Sequence, residues 1–208
     1  MKSRTKPRRH SDGGAVSWQR ADADGLRSFL LQAADSHPDR SSLTVVCIGT
    51  DRSTGDSFGP WIGTMLRERG WTNVIGTLSS PCDADRYERA VAGIHPEQTV
   101  IAIDACLGKP DSVGGFLVKE GQLQPAQATD KRLSPIGHYS IAGVVAPFGA
   151  RSYWSLQRAS LYEIIAMAGQ AADALCLAWP DRKRAASDDS RDAAPLMPLL
   201  RFMMKDSR

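Results

Sequence analysis

A chain of 208 residues is long enough for one well-buried core and cramped for two. Its 42% hydrophobic and 24% charged residues are ordinary for a globular protein, and the formal net charge of +3 is largely the tail cluster Lys2, Arg4, Lys6, Arg8 and Arg9. The body is then near neutral, with no basic stripe to mark a nucleic-acid surface, no apolar run near the roughly 18 residues that span a bilayer, and no secretory apolar core after the N-terminal charges.

Residues 1–20 read as a basic, disordered tail, 21–179 as one α/β domain, and 180–208 as a linker with a short apolar segment. Asp22 and Asp24 introduce a helix with Leu26, Phe29, Leu30 and Ala33 on one face, ended by His37-Pro38. The β-branched run 43–49 (LTVVCIG) predicts a strand buried on both faces. A polar loop, 50–57, leads to a helix aligning Phe58, Ile62, Met65 and Leu66, with Gly70 at its end. A second strand is expected over 74–78, a second helix over 83–93, and a third strand over 99–105 (TVIAIDA). Residues 113–124 read as shorter, irregular strands, 141–146 as a further strand, and 152–178 as one long helix stopped by Pro180. This order predicts a mostly parallel sheet between helices, a three-layer α/β/α sandwich of the hydrolase type. The four cysteines, Cys47, Cys82, Cys106 and Cys176, show neither CxxC spacing nor disulfide density, which points to a reducing cytoplasm.

In parallel sheets, ligands gather beyond the carboxyl ends of the strands. The loop after the first long strand brings Asp51 and Asp56 there, and the tip of the third brings Asp104. With strands about 4.8 Å apart, those carboxyls can lie from a few to about 10 Å from one another, close enough to share a water or a metal. Asp104 interrupts an apolar strand, where an unpaired carboxylate is costly. Asp56 stands before a helix, where a plain N-cap role weighs about equally with a catalytic one.

Two similar patterns fail on chemistry. The stretch 49–57 (GTDRSTGDS) is one residue too long for a phosphate loop and has Asp56 where lysine belongs. Gly55-Asp56-Ser57 is similar to the GDS of a serine esterase family, but no DxxH follows and the last histidine is His138. Ser57 therefore reads as a helix-start hydroxyl. Cys106, with no histidine tied to it, reads as a structural thiol, and His138 as a loop residue that could become a third metal ligand.

The motifs GTDRSTGDSFGP (49–60) and AIDACLG (102–108), with GTL at 76–78, together resemble the YyaC-type sporulation proteins. These are similar to the germination protease and share a sandwich fold with hydrogenase-maturation endopeptidases. The resemblance covers roughly 43–178. It implies a peptidase of sporulation or germination, working in the forespore or mother cell on a protein or peptide substrate such as small acid-soluble spore proteins. Asp56 and Asp104 match the paired acids and would be catalytic, with Asp51 supporting. No cofactor is required on that reading. The alternatives are a divalent ion held by Asp56, Asp104 and His138, as in the maturation enzymes, or a binding module that keeps the cleft without the chemistry. Neither a nucleic acid nor a membrane partner is expected.

Overall fold

The computed structural model describes residues 17–125, 133–149 and 152–181. Six strands form one sheet: β1 (Gln19–Ala21), β2 (Leu43–Cys47), β3 (Val74–Ile75), β4 (Thr99–Gly108), β5 (Phe116–Glu120) and β6 (Tyr139–Pro147). Their order is β1-β5-β6-β4-β2-β3. The pairs β3-β2, β2-β4 and β4-β6 are parallel, while β5 and β1 close the other side antiparallel. The long helices are α1 (Ala23–Ser36), α2 (Phe58–Glu68) and α5 (Leu161–Ala178), with short α3 (Tyr87–Val91) and α4 (Ser152–Gln157).

Strand alternation divides the core in two. Val45, Cys47, Ile101 and Ile103 face the larger cluster, closed by α1, α2 and α5. Val46, Ile48, Val100 and Ala102 face a smaller one with Cys82, Tyr87, Leu123 and Leu133. The sheet thus lies between a thick helical layer and a thin one, the expected α/β/α sandwich. By length and composition α5 is apolar enough to cross a membrane, which the sequence reading did not anticipate, but it packs against α1 and α2 with its inner face in the larger cluster.

Several boundaries differ from expectation. Gln19 and Arg20, read as tail, pair with Val118 and Leu117 as an edge strand, because β5 offers them a free antiparallel edge. The strand expected over 74–78 stops at Ile75, since Gly76 turns the chain at φ +88° with its carbonyl against Gly63. The helix expected over 83–93 shortens to Tyr87–Val91, entered through a turn in which the Asp83 carboxylate accepts from the amides of Asp85 (3.2 Å) and Arg86 (3.1 Å) in the manner of a helix cap. The single helix expected over 152–178 is two, and Ser160 starts the second by accepting from the Glu163 amide (3.4 Å). That Ser-x-x-Glu spacing is a helix-start signal legible in the sequence. The C-terminal apolar segment and nearly all of the proposed linker and basic tail lie outside the described residues.

Candidate active site

Beyond Cys47 the chain runs one more residue beside β4, with the Ile48 amide donating to the Ile103 carbonyl (2.8 Å). Gly49 then turns it at φ +142°, and a Cβ there would collide with the Asp56 carbonyl oxygen. Thr50 donates its amide to that same oxygen (3.1 Å). Ser57 closes the loop through its amide to Ser53 (3.0 Å) and its hydroxyl to the Thr54 carbonyl (2.6 Å). The loop is therefore folded back on the end of β2, and the 55–57 turn packs against β4 and α4. Gly59 completes the seat: its Cα passes so close to Ile48 that α2 begins directly on the strand.

Asp104 lies on β4, paired in register with Ala142 of β6. It shares the face of Val100 and Ala102, and its Oδ1 accepts from the Ala105 amide (2.8 Å). Asp56 arrives from the α2 side of the sheet, so the two acids reach the carboxyl edge from opposite faces. Their main-chain segments are neighbours there, and both side chains are half-buried.

The electrostatics of this edge follow from burial. Desolvation raises Asp56 above its ordinary value, and the Ser53 hydroxyl opposes that weakly, being itself buried without a hydrogen bond of ordinary geometry among the described residues. Burial, then the charges of Asp83 and Asp104, pushes Cys82 up to about 12. Burial and Asp104 together push Cys106 up to about 12. Tyr87 is raised by burial first and then by the charges around it, Asp104 among them, while its hydroxyl donates to the Ser134 carbonyl (2.7 Å). Thiols held this high are protonated at neutral pH and inert as nucleophiles, which fits the structural reading of Cys106. All four cysteines are free thiols.

The remaining predicted residues separate. Asp51 is exposed at the loop tip. His138 lies at the other end of the sheet: its amide donates to the Val100 carbonyl (2.8 Å) and its Nδ1 accepts from the Val100 amide (2.9 Å). Four residues of strand, about 13 Å, separate Val100 from Asp104. A metal centre of Asp56, Asp104 and His138 is therefore not assembled, and no cluster of three or more metal-ligating side chains occurs among the described residues.

Sequence reasoning missed Cys82 and Asp83. The Ile48–Cys82 bridge brings the loop after β3 to the same edge, where Asp83 pairs with Arg52 (2.9 Å). The signal was available, since in a parallel sheet the segment following any strand emerges at the common carboxyl end.

Fold and site together define an α/β protein of mostly parallel sheet with acids gathered at the carboxyl ends of its strands. The chain belongs to the family described as "Protein of unknown function (DUF1256)", whose model matches residues 17–174. It is 41% identical over 173 residues to the uncharacterized protein YyaC of Bacillus subtilis (strain 168), spanning 81% of this chain and 80% of that one. Among solved structures, the NiFe hydrogenase maturation protease HycI from Thermococcus kodakarensis KOD1 is similar at 17% identity and a TM-score of 0.42, covering 64% of this chain and 91% of that one.

Proposed function

We propose that the chain is a peptidase of sporulation or germination in which Asp56 and Asp104 hydrolyse a peptide bond. The observation that carries this reading is the placement of two half-buried aspartates on adjoining segments at the carboxyl edge, one with its acid form favoured by burial. The resemblance of the motifs 49–60 and 102–108 to sporulation proteins related to the germination protease supports the peptidase class and the cellular setting.

The two environments assign the roles. Asp56, whose acid form desolvation favours, takes the acid role: in its protonated form it donates a hydrogen bond to the scissile carbonyl oxygen. Asp104, oriented by the Ala105 amide, takes a proton from water as the water oxygen bonds to the carbonyl carbon. The tetrahedral adduct collapses when Asp104 returns that proton to the amide nitrogen, the carbon–nitrogen bond breaks, and Asp56 is left protonated. Water is the only co-reactant.

Incubation with small acid-soluble spore proteins, followed by mass spectrometry, tests the reading. Wild type should yield fragments, and Asp56→Asn and Asp104→Asn should each lose at least about a hundredfold in rate while keeping the native circular dichroism. Full activity in both folded variants would sink the aspartate mechanism. A stable complex without turnover would instead favour a binding module.

A further inference from the structure

Next to the acidic edge, a groove of about 760 Å³ opens between α2 and α3 along β3. One end of it is lined by Cys82, which bridges to Ile48 just beyond β2, so the groove ends beside the edge that carries the Asp56 loop. β3 is the terminal strand of the sheet, so one of its edges has no strand partner among the described residues, and Val74 and Ile75 line this groove. The groove's charge is one-sided: Arg67, Arg86 and Arg89 line it against the single acid Glu68. Arg67 is engaged by the Thr72 carbonyl (2.8 Å), whereas Arg86 and Arg89 are exposed and make no ion pair among the described residues.

Unneutralised arginines beside an open strand edge are matched by a chain that is extended and acidic. Its backbone can add to the edge while its carboxylates take the forked guanidinium donors. We propose that this groove binds an acidic, extended stretch of the polypeptide whose scissile bond lies at Asp56 and Asp104. Arg86 and Arg89 are then the residues that select it. The proposal rests on the peptidase reading for the position of the bond, and the binding it describes is measurable without turnover.

The test uses the full chain carrying Asp104→Asn and a fluorescein-labelled peptide alternating glutamate and threonine, read by anisotropy. The expected result is binding that weakens with added salt, falls at least about tenfold in an added Arg86→Ala/Arg89→Ala pair, and stays within about twofold in Arg27→Ala, a distant exposed arginine. A lysine-threonine peptide should not bind. Equal binding by the double variant, or an oligothymidylate that binds as tightly as the acidic peptide, would overturn the proposal. Arginine-dependent binding alongside a wild type that cleaves nothing upholds the groove and fails the peptidase reading. Cleavage alongside arginine-independent binding fails the groove alone.

Discussion

Gly59 and Gly169 are both helical glycines, and the structure assigns their replacement by alanine opposite signs. In isolation each change favours the helix by up to about 1 kcal/mol, because alanine loses less backbone freedom on folding. At Gly169 of α5 a new Cβ meets nothing within 4 Å, so that gain stands and the variant should be more stable. At Gly59 the Cβ would lie 3.0 Å from the Ile48 nitrogen and 3.1 Å from the Cys47 carbonyl carbon, with the Ile48 oxygen nearer still. All three are backbone atoms of the strand end and cannot rotate away. Overpacking of this kind costs about 1–3 kcal/mol, and rigid neighbours place Gly59 at the upper end. The net loss is about 2 kcal/mol, or a fall of about 4–8 °C in Tm for a domain this size. Urea and thermal unfolding of the two variants beside wild type measure it. The relief open to Gly59→Ala is a shift of the first turn of α2, which carries the Asp56 turn with it, so cleavage should drop by up to about a hundredfold. A Gly59→Ala protein as stable as wild type would refute the claim that this glycine seats the helix on the strand.

Asp56 gives a pH signature. Because burial raises it above 3.8, the folded state keeps its proton where the unfolded chain has released it. That contribution to stability is complete below the unfolded value and is lost as pH rises through the folded one. Asp56→Asn, which cannot ionise, should therefore be more stable than wild type at pH 7, with the gap closing toward about pH 4 in urea titrations; a gap independent of pH would contradict the assignment. Cys106, with its thiol raised first by burial and then by Asp104, should react slowly with iodoacetamide at pH 8, and Asp104→Asn should speed the reaction by removing the charge that opposes thiolate formation. Peptide mapping reads the rate. Trp179 is almost fully buried and donates from Nε1 to the His37 carbonyl (2.7 Å) while stacking edge-on with Trp71. Trp179→Phe should cost about 1–3 kcal/mol by stranding that carbonyl, measured by thermal unfolding; unchanged stability would show the bond to be dispensable.

Much of the site's raw material was legible in one dimension. Asp104 stands out because an acid inside an apolar β-branched run must have a reason to be there. Asp56 stands out because glycines on both sides announce a special backbone before a helix. The strand runs 43–47 and 99–105 were readable because burial on both faces removes polar alternation and leaves a continuous apolar signal. Less visible were β1, only three residues long, and the early end of β3. The first depends on a partner strand almost a hundred residues away, and the second on Gly76 meeting Gly63 of a packed helix.

Local chemistry along the chain, in apolar period, caps and glycine placement, was enough to set the class of fold and to mark Asp56 and Asp104 as candidates, because those signals act between residues a few positions apart. Beyond the rule that the segment after each parallel strand emerges at the carboxyl end, tertiary packing decided which side chains share the edge with them. His138 is only a few residues ahead of Ala142, the register partner of Asp104, yet it lies about 13 Å down the sheet, since strand direction and register fix its height. Cys82 and Asp83 reach the edge through a bridge to Ile48, and Arg67 of α2 lines one groove with Arg86 and Arg89 at the start of and within α3. Such groupings rest on contacts between distant segments, where sequence spacing carries no information about distance.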